Sequence, residues 1–142
     1  MDETVLVKDI MTDKVFTVAP ETPILDGIKL LIAHSFNGLP VVDKDKKLVG
    51  LVTEYNLIAD MFSQGGKLQE QLKRLESIKT KDVMVADPLT LYFDNTFGDA
   101  LKLFSDHHRI NPVPVIDHDN RLVGIVSRFD LIQWHWRMYR DI

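Results

Sequence analysis

The strongest constraint on this chain is that it contains one segment twice. Residues 50–58, GLVTEYNLI, return as residues 124–132, GIVSRFDLI, with every apolar position kept apolar. The starts of the two copies align as well, since KDIM at residues 8–11 matches KDVM at residues 81–84. One copy, at about 55 residues, buries little surface and is expected to be only marginally stable alone. The doubling therefore predicts a pseudo-twofold domain in which two copies of one unit share a core.

Each copy has the pattern of a strand, a helix, two further strands and a second helix. Two apolar runs separated by five polar residues predict a hairpin in each copy. The first helix of each copy carries apolar side chains at helical spacing, which predicts its buried face. The predicted strands are 15–18, 39–42 and 48–52 in the first copy and 113–116 and 122–126 in the second, and the buried faces are Ile24, Ile28 and Leu31 against Phe97, Leu101 and Phe104.

The two copies are joined and followed by segments of different character. Gly65 and Gly66 interrupt the chain, and the leucines at 68, 72 and 75 then predict an amphipathic helix. This helix either covers the apolar surface of its own domain or contacts another subunit. The aromatic and basic tail either continues the last helix, with Trp136 below Ile132, or forms a docking surface. The predicted organisation is repeat one at 5–62, linker helix at 63–77, repeat two at 78–135 and tail at 136–142.

Composition narrows the class of protein. The 142 residues carry a net charge of −4, which gives no basic field for nucleic acid or anionic lipid. The chain has no cysteine, which excludes disulfides and fits a reducing compartment. It starts acidic and has no apolar run near the ~20 residues of a membrane span. We therefore expect a cytoplasmic protein with no membrane partner.

The strand-to-helix junction at Ser127 is the best candidate for chemistry. Ser127 stands at the N-cap position and Asp130 at the third helical position, a pattern typical of a capping box that only closes off the helix. The same geometry can hold a nucleotide. Helix N-terminal amides, the Ser127 hydroxyl and the Arg128 guanidinium suit a phosphate, and Asp130 can accept hydrogen bonds from a ribose. Local chemistry leaves both interpretations open.

The first copy has the same frame with altered chemistry. Thr53 replaces the serine conservatively, but Glu54 stands where Arg128 stands in the second copy. Asn56 replaces the aspartate, which leaves one carbonyl acceptor and adds a donor. The first copy is therefore predicted to be the weaker binder of a ribose phosphate.

These motifs together resemble a tandem pair of CBS domains, the regulatory module named after cystathionine beta-synthase. The resemblance covers about residues 5–62 and 78–135, and it rests on short motifs that occur in the same order in both copies. It implies an α/β fold, more narrowly α+β, in which two strand-helix-strand-strand-helix repeats pack sheet to sheet as a pseudo-twofold pair. The motifs that carry it are residues 7–12 and 80–84, residues 39–43 and 113–117, and the two segments from glycine to Asn56 or Asp130.

The resemblance also implies two composite clefts for adenosine-containing ligands such as AMP, ADP, ATP or S-adenosylmethionine. The main cleft is expected to join the Ser127 motif to residues of the other copy. The second cleft, built on Thr53, is doubtful because of Glu54 and Asn56. Implied nucleotide-binding residues are Thr17, Asn37, Gly38, Leu39, Pro40, Ile125, Ser127, Arg128 and Asp130 in the main cleft, and Thr53, Asn56, Thr90, His108, Arg109 and Ile110 in the second.

The leading functional hypothesis is a non-catalytic sensor that binds an adenosine ligand and signals to a second copy or to a separate effector protein. No residue set combines nucleophile, base and oxyanion donors, so no catalytic residues, catalytic cofactor or metal ligands are predicted. A scaffold for protein interactions that has lost its ligand is the alternative, and Glu54 and Asn56 favour it. A nucleic-acid adaptor fits poorly with the net charge of −4.

Overall fold

The computed structural model describes residues 5–142, which form two compact units. Phe16–Pro88 form the middle unit, and Leu89–Ile142 with the described residues up to Val15 form the terminal unit. The described helices are α1 (Val7–Ile10), α2 (Ile24–His34), α3 (Glu54–Gln64), α4 (Leu68–Arg74), α5 (Phe97–Asp106) and α6 (Arg128–Arg140), and the strands are β1 (Gly38–Val42), β2 (Leu48–Thr53), β3 (Val85–Ala86), β4 (Leu91–Tyr92), β5 (Val113–Ile116) and β6 (Leu122–Val126).

The compact units do not coincide with the sequence repeats, because the repeats exchange their N-terminal segments. Helix α1, from the start of repeat one, lies in the terminal unit, where the Val7 N–H donates to the Asn95 carbonyl at 2.8 Å. The start of repeat two lies in the middle unit, where the Thr80 N–H donates to the Thr22 carbonyl at 2.8 Å. The predicted limits at 5–62 and 78–135 therefore describe repeats of the sequence rather than compact bodies.

In the middle unit, β1 and β2 form the predicted antiparallel hairpin and β3 extends it on the β2 side. The predicted strand at 15–18 is reduced to one parallel bridge between Val18 and Val41. Val18 is the buried residue of that run, and its N–H and C=O both pair with β1, at 3.1 Å to Pro40 and 2.9 Å from Val42. The exposed Phe16 and Thr17 make no ladder.

The terminal unit has the same plan. Strand β4 pairs parallel with β5, and β5 pairs antiparallel with β6, as predicted for the second hairpin. Thr12 adds a bridge to Ile125 with two backbone hydrogen bonds of 2.9 Å. In both units the last hairpin strand thus pairs with the segment that follows a Lys-Asp-X-Met motif of the other repeat.

Close packing explains why both repeats have a glycine at the same position, Gly50 in one and Gly124 in the other. A Cβ added at Gly124 would collide with the side chain of Met11, and one at Gly50 would collide with Met84. The glycine makes room for the methionine of the exchanged segment, so the two conserved motifs of the repeat are physically coupled.

Each unit has its own core, so two cores replace the single shared core that the repeat predicts, and the predicted buried faces are confirmed. Ile24 and Leu31 are buried with Val41 in the middle unit, and Phe97 and Phe104 are buried with Val115 in the terminal unit. Along the described chain, every helix is too short or too polar to span a membrane.

The linker forms α4, but the predicted apolar face is only partly covered. Leu75 packs against the core of the middle unit, while Leu68 and Leu72 are at least half exposed. An ion pair of 2.8 Å between Arg74 and Asp60 ties α4 to α3. The linker therefore packs against the core of its own unit only at its C-terminal end, through Leu75.

Candidate functional site

The start of α6 is a capping box. The Ser127 N–H donates to Asp130 Oδ2 at 2.8 Å, and the Asp130 N–H donates to Ser127 Oγ at 3.2 Å. Among the described residues, the hydroxyl proton of Ser127 and the second carboxylate oxygen of Asp130 have no partner. The cap interpretation and the ligand interpretation are therefore compatible, because capping uses only part of the hydrogen-bonding capacity of this pair.

The capping of α3 leaves fewer hydrogen-bonding groups unused than the capping of α6. Asn56 Oδ1 accepts from the Thr53 N–H at 3.2 Å and from the Thr53 hydroxyl at 2.6 Å. The Thr53 hydroxyl also accepts the Asn56 N–H at 3.1 Å. The hydroxyl proton and the carbonyl oxygen that a ligand would need already satisfy each other. The start of α3 thus leaves fewer hydrogen-bonding groups free than the start of α6, and the prediction that the first copy is the weaker binder stays a prediction.

The helix amides of α6 are less open than the sequence suggested. The Arg128 N–H donates to Asn111 Oδ1 at 3.1 Å, and the Asp130 N–H is held by Ser127. In the first copy, the Glu54 N–H donates to the carbonyl oxygen of Asn37 at 3.1 Å. The expectation that free helix amides hold the phosphate is therefore wrong for these two amides of α6. The positively charged group at this end of α6 is the exposed side chain of Arg128.

Sequence reasoning missed Asn111, although the signal was present. Asn37 and Asn111 are equivalent at the separation of 74 residues that relates the second halves of the repeats. One uses its backbone oxygen and the other its side chain to reach the first amide of the following helix. The Asn111–Pro112 peptide is cis, in the loop that differs between the copies.

A cavity of about 220 Å³ lies beside Asp130 within the terminal unit. Its lining includes two arginines of α6, Arg137 and Arg140, which have no carboxylate partner among the described residues. Arg137 lies over the ring of Trp134, with 5.1 Å between the guanidinium carbon and the ring centroid. The full lining is Ile10, Asp130, Gln133, Trp134, Trp136, Arg137 and Arg140. Their link to Asp130 was missed, although the spacing of seven residues places Arg137 on the same face of α6 as Asp130.

The other predicted residues are divided between the two units. Of the main set, Thr17 and Asn37 are exposed, whereas Gly38, Leu39 and Pro40 are buried, all in the middle unit. The Leu39 side chain belongs to the core cluster of that unit and is not at the surface. In the terminal unit, Ile125, Thr90 and Ile110 are half-buried and His108 and Arg109 are exposed.

An aromatic cluster lies next to Thr17 and Asn37, the two exposed candidate residues of the middle unit. His34 stacks on Phe16 with ring centroids 4.4 Å apart and on Phe36 with 5.0 Å. Phe16 directly precedes Thr17, and Phe36 directly precedes Asn37.

Among residues 5–142, no group of three or more His, Asp or Glu side chains is placed to hold a metal ion.

Known proteins match this chain along most of its length. CBSX2 of Arabidopsis thaliana, solved in complex with AMP, superposes with a TM-score of 0.80 at 28% identity, covering 95% of this chain and 98% of that one. The CBS domain pair of protein MJ0100, solved with 5′-methylthioadenosine and S-adenosyl-L-methionine, gives 0.76 at 29% identity, covering 94% and 98%.

An enzyme contains a similar segment. Inosine-5′-monophosphate dehydrogenase of Methanocaldococcus jannaschii is 30% identical over 125 residues, which are 88% of this chain but only 22% of that protein. The family model of the CBS domain matches twice, at residues 7–62 and 81–136. The duplicated motifs, the two units and these matches agree, and the chain belongs to the CBS domain family.

Proposed function

We propose that this CBS pair is a non-catalytic regulatory module that binds an adenosine-containing ligand at the start of α6. The observation that carries the proposal is the partly used cap, in which Ser127 keeps a hydroxyl proton and Asp130 keeps a carboxylate oxygen. The complexes of CBSX2 with AMP and of the MJ0100 pair with S-adenosyl-L-methionine support the class of ligand.

The chemistry of the pair suits a ribose. A carboxylate oxygen accepts hydrogen bonds from both neighbouring hydroxyls of a ribose, and bonds to a charged acceptor are the stronger kind. Asp130 is half-buried and lines the cavity beside α6, so such bonds would be partly shielded from water. The Ser127 hydroxyl can donate to a ribose or phosphate oxygen without leaving the cap.

Charge favours a phosphate-bearing ligand over S-adenosylmethionine. Arg137 and Arg140 line the same cavity as Asp130, and Arg128 stands at the first helical position. Guanidinium groups bind phosphate well, whereas the sulfonium of S-adenosylmethionine is a cation that they would repel. We therefore place AMP, ADP or ATP ahead of S-adenosylmethionine.

The proposal extends to the residues that the family resemblance implies. For the main site these are Thr17, Asn37, Gly38, Leu39, Pro40 and Ile125 beside the cap residues. A second, weaker site would use Thr53, Asn56, Thr90, His108, Arg109 and Ile110. The satisfied hydrogen bonds between Thr53 and Asn56 are the reason to rank it second.

Calorimetric titration with AMP, ADP, ATP and S-adenosylmethionine tests the proposal, using Asp130→Asn as the variant. The amide still accepts the Ser127 N–H but loses the charged second oxygen. A hydrogen bond to a charged group is worth roughly 1.5–3 kcal/mol, so we expect AMP affinity to fall about 10- to 100-fold. The amide should keep the fold, because Asn56 caps α3 in the same way.

Asp99→Asn is the matched control. Asp99 forms the same capping box with Thr96 at the start of α5, with hydrogen bonds of 2.9 and 3.1 Å, but it has no proposed ligand role. It should change stability as much as Asp130→Asn does and leave AMP affinity unchanged. Equal losses of affinity in both variants would contradict the site. Tighter binding of S-adenosylmethionine than of AMP would contradict the charge argument alone.

A scaffold without a ligand is the second candidate. The exposed apolar side chains of α3 and α6, such as Ile58 and Ile132, favour it because they suit protein contacts. It would be supported if none of the four ligands binds while the chain still associates with a partner. In either case we propose that the signal passes to a second copy or to a separate effector in the cytoplasm, with no membrane or nucleic-acid partner.

A further inference from the structure

The C-terminal part of α6 borders an open groove in the terminal unit. Its volume is about 770 Å³, which is the size of a ligand pocket. His135 and Asp141 are its polar lining. An apolar surface that stays open to solvent marks a place where another molecule binds. We call this site the α6 groove, and its apolar and aromatic lining is Val5, Phe97, Trp134, Met138, Tyr139 and Ile142.

The sequence repeat identifies the equivalent place in the middle unit. The first halves of the repeats are related by 73 residues, so Val5 and Phe97 of the groove correspond to Ile78 and Ile24. Each pair is joined by the same backbone hydrogen bond. The Phe97 N–H donates to the Val5 carbonyl at 2.9 Å, and the Ile24 N–H donates to the Ile78 carbonyl at 3.1 Å. The two places are therefore built alike.

In the middle unit this place is covered by α4. Arg74 of α4 pairs with Asp60 of α3 at 2.8 Å, and Asp60 is the residue equivalent to Trp134 of the groove. Leu75, which follows α4, packs against the core of the middle unit. The middle unit thus shows what this place receives, which is an amphipathic helix that buries a leucine.

The α6 groove differs from its equivalent in charge. Arg137 already lies over the ring of Trp134, with 5.1 Å between the guanidinium carbon and the ring centroid. A second cation at the position of Arg74 would be repelled there, whereas an apolar side chain would fit the ring. Asp141 has no ion-pair partner among residues 5–142. A basic residue of a bound helix would complement this carboxylate.

We propose that the α6 groove is the docking site for an amphipathic helix of a separate effector protein. The helix carries leucine-like side chains toward Trp134 and Met138 and a basic residue toward Asp141. Such a helix lays its apolar face into a groove in a common mode of recognition. The inference goes beyond the proposed function, since it needs no ligand at Ser127. Trp134 also lines the cavity beside Asp130, so the effector would lie next to the proposed ligand site.

A synthetic peptide of residues 67–79 with Arg74→Leu is the probe, because the same segment covers the equivalent place in the middle unit. The chain has two tryptophans, so Trp136→Phe leaves Trp134 as the reporter, and the peptide contains none. We expect a saturable change in Trp134 emission, and no change with a peptide that also carries Leu75→Glu. The peptide that keeps Arg74 should bind more weakly. No saturable change at millimolar peptide would overturn the proposal.

A charge placed in the groove should weaken this binding. Met138→Lys should lower peptide affinity about tenfold or more, because it puts a cation among apolar side chains. Gln64→Lys is the matched control, since Gln64 is the equivalent residue of α3 and lies outside the groove. Met138 also packs against the core, so Ile142→Lys serves as a second variant at a side chain that is 97% exposed. Unchanged affinity in both groove variants would refute the site.

A fusion gives a measurement that does not depend on the affinity of a free peptide. Because Val5 is equivalent to Ile78, residues 67–77 placed directly before Val5 restore the register of the middle unit. This segment, with Arg74→Leu, should raise the Tm above that of the same fusion with Leu75→Glu, since linkage gives a high effective concentration. Equal Tm values would contradict the proposal.

Other occupants of the groove give different results. If a second copy fills it, Met138→Lys will weaken self-association in sedimentation without any peptide, and the proposal is wrong. If the peptide binds only to a chain that starts at Val5, the groove belongs to the first residues of the chain itself, and the proposal is also wrong. The peptide is titrated without AMP. Failure of peptide binding therefore leaves the proposed function intact, and failure of AMP binding leaves the docking site intact.

Discussion

The exchange of N-terminal segments between the repeats can be tested through Gly124. An alanine there would place its Cβ against the Met11 side chain and 3.0 Å from the carbonyl oxygen of Thr12. That carbonyl accepts the Ile125 N–H at 2.9 Å, so it cannot retreat without lengthening the bridge. Overpacking of this kind costs about 1–3 kcal/mol. We expect Gly124→Ala to lower the free energy of unfolding by about 2 kcal/mol, which for a domain of this size is roughly 4–8 °C in Tm.

A double-mutant cycle followed by urea unfolding shows which methionine faces which glycine. Met11→Ala removes the flexible part of the collision, so it should couple to Gly124→Ala by about 1 kcal/mol. Met84→Ala should instead couple to Gly50→Ala, since Met84 lies beside Gly50. Residues without contact give additive effects within about 0.5 kcal/mol, which is the expectation for Met11 with Gly50. Coupling of Met11 to Gly50 rather than Gly124 would refute the exchange.

Two further predictions concern the turn and the buried hydroxyl. The backbone N–H of Arg121 lowers the pKa of Asp117, so its stabilisation is present above the unfolded pKa of about 3.9 and is lost as pH falls through the lower folded value. Asp117→Asn should therefore flatten the loss of stability on acidification in urea titrations below about pH 5, and an unchanged profile would contradict this. The buried Thr80 hydroxyl donates to the Thr22 carbonyl at 2.7 Å. Thr80→Val should cost about 1 kcal/mol in chemical unfolding, with Thr80→Ser keeping the bond, and a stabilised valine variant would contradict the role.

The sequence predicts the local elements of this fold well because their signals are local. The hairpin of β5 and β6 has the predicted limits, and the start of α6 follows from the spacing of Ser127 and Asp130. The strand at 15–18 fails because alternation alone cannot show how many residues find a ladder partner. Only Val18 reaches β1 with both of its backbone groups.

The exchange of segments was not predictable from the repeat. Met11 and Met84 occur in nearly identical motifs, and Gly50 and Gly124 in nearly identical strands. Local chemistry therefore assigns either methionine to either glycine equally well. The choice depends on the paths of the connecting chain, which the periodicity of the sequence does not encode.

The sequence predicted which residues form the start of α6 better than it predicted their contacts. The cap positions and the single acceptor oxygen of Asn56 followed from residue types and spacing. The engagement of the Arg128 amide by Asn111 did not, because the equivalent Asn37 uses its backbone oxygen for the same task. The cavity that Arg137 shares with Asp130 was also missed, although a spacing of seven residues places the two side chains on one face of α6.

The cap explains how a symmetric fold can hold asymmetric chemistry. A capping box needs one acceptor oxygen from the third helical residue. Asn56 provides it to the N–H of Thr53, and Asp130 provides it to the N–H of Ser127. Folding therefore does not distinguish an amide from a carboxylate at this position. The second oxygen of Asp130 is surplus to the cap and available to a ligand, whereas Asn56 directs its only oxygen at Thr53. Replacement of one atom can thus remove a site from one repeat at little cost to stability, which is why Asp130→Asn separates binding from folding.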